Sequence, residues 1–383
     1  MKILVLGRTL PKSGMGSKGL FEFEQTNSLL QLGKVGYLFM ETSSLLSVRF
    51  IKRTNRMNGR MPIVGVYLPV KGIYKHIYEY IRYKLFIMLY NEFVQNYWKP
   101  DIIHIHYPLL TINPKIIKFI KEKNIKLVIT EHWSKVMKKE LKKNQINELK
   151  YLLENADAFI SVSENLKTSI IEMTNKPEKE ISVIPNMVPD SFFEKKSKSH
   201  IVKNKFVFTY IGSLIDTKNV DLLIHAMKIV SDEVDDVVLN IIGDGPIINR
   251  LKKMVSDKYY YKIIFHGNKG REEVQDYLSS TNAYVSASNL ETFGVPFFEA
   301  MSMGVPVICS DKLGIKQYIN TENGLLFKSD DHYDLSKKLL YMYENYGQYN
   351  HELIRENTRH LFSEEIISNQ IAKIYNNLVS NNL

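Results

Sequence analysis

Short apolar runs alternate with amphipathic segments along the whole chain. In the first half, the runs that predict strands are KILVLG (2–7), VGYLF (35–39), DIIHIH (101–106), KLVIT (126–130), AFISVS (158–163) and ISVIPN (181–186). In the second half they are KFVFTYIG (205–212), DVVLNIIGDG (236–245), KIIFHG (262–267), NAYVSAS (282–288), VPVICS (305–310) and GLLF (324–327). Each run is continuously apolar, as expected of a strand covered on both faces. Helical patterns lie between the runs, so the chain is predicted to be α/β with parallel, doubly wound sheets.

Two such series in 383 residues predict two Rossmann-like domains, since one ordinary core rarely grows to that length. We expect an N-terminal domain over 1–190 and a C-terminal domain over 191–364. The charged, aperiodic stretch 189–205 is interpreted as the linker between them. Residues 365–383 predict a C-terminal helix that packs back on the N-terminal domain.

Open α/β sheets bind ligands at the carboxyl ends of their strands, and the unusual residues of this chain follow predicted strands. They are Gly14, Gly16, Gly19, His104, His106, His132, Ser213, Lys218, Gly243, Gly245, Gly267 and Glu291. If the two functional edges face each other, they form one interdomain cleft.

Two features among these residues, a glycine-rich loop and Lys218, indicate phosphate binding. The loop GRTLPKSGMGSKG (7–19) joins a strand to a helix, where glycines let backbone amides approach an anion. It fits neither G-x-G-x-x-G nor the Walker A pattern, so a merely mobile loop is an equal alternative. Lys218 stands between a strand and the next helix, suited to a diphosphate, although an ordinary surface lysine is the alternative.

The stretch SNLETFGVPFFEA carries the most specific pattern. Pro296 suits the first turn of a helix, which places the amides of residues 293–295 at its N-terminal end, where an anion can sit. Glu291 precedes this helix and Glu299 lies one turn inside it. Glu299 could merely complement the helix dipole, which stabilises an exposed helix by only ~0.3–1 kcal/mol.

Histidines end two strands of the first half. His132, beside Trp133, could donate a hydrogen bond or act as a general base, or could simply be a satisfied polar residue. His104 and His106 share a strand face, but no third ligand has metal spacing, so zinc is disfavoured.

The distribution of charged residues and the length of the apolar runs limit which partners the chain can have. Residues 1–190 hold 29 Lys and Arg against 17 Asp and Glu, whereas residues 191–383 hold 22 against 24. The basic first half indicates an anionic partner, or simply solvated lysines. No apolar run reaches the ~18–20 residues that cross a bilayer, and residues 1–7 do not resemble a signal peptide. The single Cys309 predicts a buried, inert thiol and fits a reducing cytoplasm.

Four stretches together resemble the retaining glycosyltransferases of family 4, which have the GT-B fold. They are GSLIDTKNVDLLIHAM, VLNIIGDGP, FHGNKGREEVQDYLSSTNAYVSAS and ETFGVPFFEAMSMGVPVICSD, and PDIIHIH, TEHWS, ISVSENLK and VIPNMV resemble landmarks of the first domain and hinge. The similarity covers nearly the whole chain. It implies transfer of a sugar from a nucleotide-sugar, with retained anomeric configuration and with no metal or other cofactor.

The resemblance also implies residue roles. Lys218 would hold the donor diphosphate, Glu291 a sugar hydroxyl and Glu299 the ribose hydroxyls, while His132 would contact the donor sugar near the reaction centre. His132, Glu291 and Lys218 form the expected catalytic set. The expected donor-binding set comprises Gly14, Gly16, Ser213, Lys218, Gly243, Gly267, Asn268, Lys269, Glu291, Thr292, Phe293, Gly294, Val295 and Glu299. Three family positions differ here: Ser213 replaces an arginine, Asn219 a glycine, and Met187 the glycine of a PNG sequence.

The residues themselves agree with these roles. Diphosphate departure without a metal needs fixed positive charge, which Lys218 and a helix terminus supply. An acid and base pair, as in glycosidases, is disfavoured because a carboxylate near a helix start is favoured as the anion. We therefore interpret both glutamates as groups that bind hydroxyls. A nucleotide-sugar epimerase of the same fold and a non-catalytic sugar-nucleotide binder remain alternatives.

The first half also predicts a membrane partner. Basic runs at 49–60 and 135–144 and the aromatic helix at 77–90 favour docking on an anionic inner leaflet. The acceptor would then be an undecaprenyl-linked saccharide or glycan in capsule, O-antigen or exopolysaccharide assembly. Nucleic acid is disfavoured because no matching motif occurs.

Overall fold

The structure is a computed structural model that describes residues 1–11, 19–44, 51–71, 74–175, 181–195 and 205–380. The chain divides into two compact units. The first unit holds the described residues up to Asn186 and those from Glu364 onward, and the second unit holds the described part of Met187–Ser363. The predicted loop residues Gly14 and Gly16 lie outside the described residues.

Fourteen strands are described. In the first unit they are β1 (Lys2–Gly7), β2 (Lys34–Ser44), β3 (Lys52–Asn58), β4 (Met61–Lys71), β5 (Ile102–His106), β6 (Lys126–Glu131), β7 (Ala158–Ser161) and β8 (Ile181–Val183). In the second unit they are β9 (Phe206–Ile211), β10 (Val237–Ile242), β11 (Ile263–Gly267), β12 (Ala283–Ser286), β13 (Val307–Ser310) and β14 (Gly324–Phe327).

The described helices connect these strands or follow them. In the first unit they are α1 (Leu20–Ser28), α2 (Lys75–Asn96), α3 (Pro108–Thr111), α4 (Pro114–Glu122), α5 (Ser134–Met137), α6 (Lys143–Asn155), α7 (Glu164–Thr174) and α15 (Glu364–Ser380). In the second unit they are α8 (Asp190–Glu194), α9 (Val220–Glu233), α10 (Ile248–Met254), α11 (Arg271–Ser279), α12 (Val295–Ser302), α13 (His332–Glu344) and α14 (His351–Phe362).

The sheet of the first unit has the order β3-β4-β2-β1-β5-β6-β7-β8. All neighbours are parallel except β3 and β4. Val5 of β1 pairs with Tyr37 on one side and His104 on the other. The inner strands are buried on both faces, as their unbroken apolar runs predict. The order changes direction at β1 and β5, so their carboxyl ends mark the place where such a sheet binds ligands.

The antiparallel β3–β4 hairpin was missed by the sequence analysis, which interpreted residues 49–60 only as a basic run. All but one residue of β3 is exposed, and its sequence KRTNRMN has no apolar pattern. Charged residues on an outermost strand are typical, because they discourage pairing with another chain. The local signal was Gly59 in the two-residue turn between the strands, where its φ of 57° suits a tight hairpin.

The sheet of the second unit is parallel throughout and has the order β11-β10-β9-β12-β13-β14. Here the order changes direction between β9 and β12. Lys218 follows β9 and Glu291 follows β12, so both lie at the carboxyl edge beside this change. Two doubly wound, Rossmann-like sheets are therefore confirmed.

Two segments refine the predicted boundaries. Helix α8 lies inside the predicted linker, and its Phe192 and Phe193 are buried, so this part of the linker prediction was wrong. Helix α15 packs within the first unit: Ser368 Oγ lies 2.8 Å from Ser28 Oγ. In the part of the chain that the structure describes, no helix is both long and apolar enough to span a bilayer.

Candidate functional site

Lys218 ends a short 3₁₀ turn, Asp216–Lys218, between β9 and α9. The next residue, Asn219, has φ 46°, in the left-handed region. Asparagine tolerates that region better than most residues, so it can stand where the resemblance implies a glycine. The turn therefore presents Lys218 at the start of α9 despite the substitution.

The loops after β9 and β10 approach each other closely. The amide of Leu214 donates to Asp244 O at 2.9 Å. A Cβ at Gly243, whose φ is 134°, would lie 1.9 Å from Gly212 O. Glycine is thus required at 243 for backbone packing, and its predicted place in the donor-binding set stays a prediction.

Glu291 meets Lys218 directly. Lys218 Nζ donates to Glu291 Oε1 at 2.5 Å, and the two side chains are 18% and 16% exposed. Thr292 lies beside Glu291, partly exposed, in the loop between β12 and α12. The structure therefore joins two of the three predicted catalytic residues in one ion pair.

Helix α12 begins at Val295, directly after Gly294, which has φ 87°. Pro296 occupies the first turn as predicted. Phe293 and Val295 are buried, so side-chain packing fixes the backbone there. The first amides of a helix have no partners within the helix, so this end of α12, next to Glu291, is suited to an anion.

Glu299 is buried on α12 and pairs with a residue that the sequence analysis missed. Arg271 Nη1 donates to Glu299 Oε1 at 2.5 Å, and Glu299 is 3% exposed. The Arg271 guanidinium also lies 4.7 Å from the ring centre of Phe192. A buried carboxylate needs such a partner, which makes helix-dipole complementation too small a role for Glu299. The only sequence signal was the position of Arg271 at the start of a helix after β11.

Gly267 ends β11, and Asn268 and Lys269 follow it in the next loop. Gly267 has φ 68°, and its carbonyl accepts from the amide of Gly243 at 2.9 Å. Lys269 Nζ donates to Glu273 Oε1 at 3.0 Å, which raises the pKa of Lys269. Lys269 thus faces its own helix, while Gly267 joins the packing of the β10 loop.

Ser213, which replaces the family's arginine, is exposed. A different arginine lies beside the same loop: Arg250 Nη2 donates to Asp216 Oδ1 at 2.7 Å. The sequence analysis did not single out Arg250, because it lies on α10, one strand away. It provides a cation near Lys218 even though Ser213 does not.

In the first unit, His132 follows β6 and is buried. Its Nε2 lies 2.9 Å from Nδ1 of His106, and its side chain also hydrogen-bonds Asn186. Burial, and then the charge of Arg8, lower the pKa of His132 to about 3. His132 is therefore a neutral imidazole near pH 7, able to donate one hydrogen bond and accept another.

Glu131 fixes the backbone at His132. Its Oε1 accepts from the amides of His132 and Trp133, each at 2.8 Å. Burial raises the pKa of Glu131 to about 7, while these two hydrogen bonds oppose the rise. Residue 131 thus holds the turn that carries the histidine, a role that the sequence analysis missed.

His104 extends this polar chain to the C-terminal helix. Its Nδ1 lies 2.6 Å from Tyr375 Oη of α15, and its Nε2 lies 2.7 Å from Thr130 Oγ1. Burial, reinforced by His106, holds the pKa of His104 well below its usual range. Within the described residues, no group of three or more His, Cys, Asp or Glu side chains could hold a metal ion.

Arg8 is a second residue of the first unit that the sequence analysis missed. It follows β1, its Nε donates to Glu22 Oε1 at 2.6 Å, and its guanidinium lies 3.5 Å from the ring centre of Tyr107. Tyr107 in turn stacks on His132 with ring centres 4.7 Å apart. A cation thus lies close to the histidines at the carboxyl edge of this sheet.

Two family models match the chain. Residues 191–360 match the model described as Glycosyl transferases group 1, and residues 49–192 match Glycosyltransferase Family 4. Together they span residues 49–360, which include parts of both units.

Known proteins agree with these matches. The phosphatidylinositol N-acetylglucosaminyltransferase GPI3 subunit of Saccharomyces cerevisiae is 28% identical over 58% of this chain, but the match spans only 50% of that protein. The N-acetyl-alpha-D-glucosaminyl L-malate synthase of Bacillus anthracis is 24% identical over 72% of this chain and 74% of its own length. The solved structure of Anabaena HepE with UDP and glucose has a TM-score of 0.74 at 16% identity, covering 98% of this chain and all of that one. That last likeness shows a shared GT-B fold.

Proposed function

Because the chain belongs to family 4 of the glycosyltransferases, we propose that it transfers a sugar from a UDP-linked donor to a saccharide acceptor. The proposed reaction retains the anomeric configuration and uses no metal ion. The bond between the anomeric carbon and the phosphate oxygen breaks, and the nucleoside diphosphate leaves with the electron pair. The acceptor hydroxyl forms the new glycosidic bond, and its proton passes to the departing diphosphate.

The observation that carries this proposal is the Lys218–Glu291 pair beside the N-terminal end of α12. Lys218 and the α12 amides offer positive charge to a departing diphosphate, which is the chief need of a metal-free mechanism. Glu291 offers a carboxylate to a sugar hydroxyl. Both lie where the strand order of the second sheet changes direction, the usual ligand position of such a sheet.

Glu299 and His132 have supporting roles in this proposal. Glu299, held by Arg271, accepts hydrogen bonds from the ribose hydroxyls. His132 contacts the donor sugar as a neutral imidazole, because the pKa of about 3 leaves it uncharged at pH 7. Each glutamate faces a cation, which favours hydroxyl binding over the acid and base roles of a glycosidase pair.

UDP-N-acetylglucosamine is the first donor to test. Both relatives described above carry N-acetylglucosaminyl in their names, and the HepE structure holds UDP. The test is a thermal-shift screen of nucleotide-sugars, followed by mass spectrometry of products with lipid-linked saccharides. NMR coupling constants of the product show whether the anomeric configuration is retained. Activity after EDTA treatment shows whether the reaction needs a metal ion. An epimerase would convert the donor without an acceptor, and a pure binding protein would bind it without turnover.

We propose further that the first unit docks on an anionic membrane from the cytoplasm, with a lipid-linked saccharide of a surface polysaccharide as acceptor. Lys52 and Arg56 of β3 are exposed, and near the start of α2 Tyr74, Ile77 and Tyr80 are at least half exposed. Basic residues near an anionic surface contribute ~1 kcal/mol each.

Flotation with anionic vesicles at low salt tests this docking. A Lys52→Glu/Arg56→Glu variant should float less than the wild type, whereas Lys253→Glu/Lys337→Glu, with the same charge change on the second unit, should not. Equal flotation of the two variants, or none for the wild type, contradicts the proposal.

A further inference from the structure

Asp330 stands at the meeting point of four loops of the second unit. It follows β14, and its φ of 62° lies in the left-handed region. Asn219, directly after Lys218, has φ 46°. Non-glycine residues hold this conformation only when their surroundings compensate for the strain. The compensating contact is mutual, because Asn219 Nδ2 donates to Asp330 Oδ1 at 3.2 Å.

The same oxygen binds the loop that carries Glu291. Asn289 Nδ2, two residues before Glu291, donates to Asp330 Oδ1 at 2.6 Å. The other carboxylate oxygen, Oδ2, accepts from Lys312 Nζ at 3.0 Å. These hydrogen bonds to Asn289 and Lys312, with that to Asn219, lower the pKa of Asp330, so it is a carboxylate at neutral pH. One carboxylate therefore joins the loops after β9, β12 and β13 to its own loop after β14.

Direct contacts between the Lys218 and Glu291 loops are otherwise long. The amide of Asn289 donates to Thr217 O at 3.3 Å, and Ser288 Oγ donates to the same carbonyl at 3.4 Å. Hydrogen bonds of this length are weak compared with one to a carboxylate at 2.6 Å. The spacing of the two loops therefore depends on Asp330 once the Lys218–Glu291 pair opens.

We propose that Asp330 is a positioning residue of the donor site, which holds the Lys218 loop and the Glu291 loop in register while a nucleotide-sugar separates their ion pair. This inference rests on the proposed function. Lys218 and Glu291 would bind different parts of one donor, so their own contact must break on binding. Asp330 acts on Lys218 and Glu291 indirectly, through the hydrogen bonds that it accepts from Asn219 and Asn289.

Substitutions at position 330 separate the hydrogen bonds from backbone strain. Asp330→Gly relieves the strained φ but removes the acceptor. Asp330→Asn tolerates the same φ and keeps an oxygen for both asparagine amides, while its amide group faces Lys312. Lys312→Met removes the exposed ion pair and leaves the junction of the loops intact.

The first readout is hydrogen–deuterium exchange in the absence of donor, with each variant made in a Lys218→Met background, where the Lys218–Glu291 pair cannot hold the loops. We expect Asp330→Gly to raise exchange at 213–219 and 288–292 without lowering the unfolding midpoint, and Asp330→Asn and Lys312→Met to resemble the Lys218→Met parent. The second readout is the affinity for UDP and the kcat/KM for transfer, which we expect Asp330→Gly to lower about tenfold, as loss of hydrogen bonds to a charged group implies. Asp330→Asn should restore both.

The inference is overturned if Asp330→Gly leaves both exchange and UDP affinity unchanged. It is also overturned if Asp330→Asn is as impaired as Asp330→Gly. Failure of the proposed function gives a different result, namely a wild type that binds no nucleoside diphosphate and transfers no sugar. In that case the exchange comparison still decides whether Asp330 holds the two loops together.

Discussion

Lys218 Nζ lies 2.5 Å from Glu291 Oε1, although 73 residues separate them in the chain. The two side chains come from loops after β9 and β12, the neighbouring strands at which the order of the second sheet changes direction. Both are largely buried, so each neutralises the charge of the other. Under the proposed function, a diphosphate would replace Glu291 as the partner of Lys218 and free the carboxylate for a sugar hydroxyl.

Removal of the Lys218 charge should therefore weaken nucleotide binding. We expect Lys218→Met to raise the dissociation constant for UDP at least tenfold, because a charge-assisted contact to phosphate contributes about 1.5–3 kcal/mol. Isothermal titration calorimetry measures this. The exposed Lys253→Met is the matched control and should bind UDP like the wild type. Unchanged affinity in Lys218→Met contradicts the assigned role.

Arg271→Met should destabilise the second unit. It leaves the carboxylate of Glu299, which is 3% exposed, without its cation. We expect a loss of about 2 kcal/mol in the free energy of unfolding by urea, below the range for a fully buried pair because Arg271 is partly exposed. Arg250→Met breaks a pair whose two side chains are exposed, so it should cost at most about 0.5 kcal/mol. Equal losses in the two variants argue against this view of the site.

Tyr375→Phe tests the attachment of α15 to the first unit. The variant removes the hydroxyl that lies 2.6 Å from Nδ1 of the buried His104 and leaves that nitrogen without this partner. We expect the free energy of unfolding to fall by about 1–3 kcal/mol. The half-exposed Tyr341→Phe should change it by no more than about 0.5 kcal/mol. No difference between the two variants contradicts the structural role of the hydroxyl.

The buried His132 makes stability depend on pH. Its pKa is lowered to about 3 from the ordinary 6.5, so between these values the unfolded chain binds a proton that the folded chain does not. The stabilisation is therefore complete above about pH 6.5 and is lost as the pH falls toward 3. His132→Asn should lose less free energy of unfolding than the wild type between about pH 7 and pH 5. Glu131 is present in both proteins, so its opposite contribution cancels in the comparison.

The exposed His360→Asn is the control for this experiment and should follow the wild-type pH dependence. A His132→Asn variant whose stability falls as steeply as that of the wild type contradicts a neutral, buried His132. Urea titrations at the two pH values provide the measurement.

The buried parallel strands could be predicted from the sequence, because strands covered on both faces are continuously apolar. The positions of Lys218 and Glu291 could also be predicted, since polar residues after such strands reach the same edge of a sheet. The β3–β4 hairpin was missed because β3 has no apolar pattern of its own, although Gly59 in its two-residue turn was a local signal. The sequence analysis missed Arg271, Glu131 and Asp330 for a related reason. Each matters through contacts with residues that are distant in the chain or through the backbone of a neighbour, and local sequence records neither.

The most direct test of the central claim is the transfer activity of Glu291→Ala with a nucleotide-sugar and a saccharide acceptor, followed by mass spectrometry of the product. The variant's fold is checked by circular dichroism, and Glu272→Ala, at an exposed position of α11, is the matched control. We predict that the wild type and the control transfer sugar, whereas folded Glu291→Ala loses nearly all activity. Near-normal transfer by folded Glu291→Ala would contradict the account.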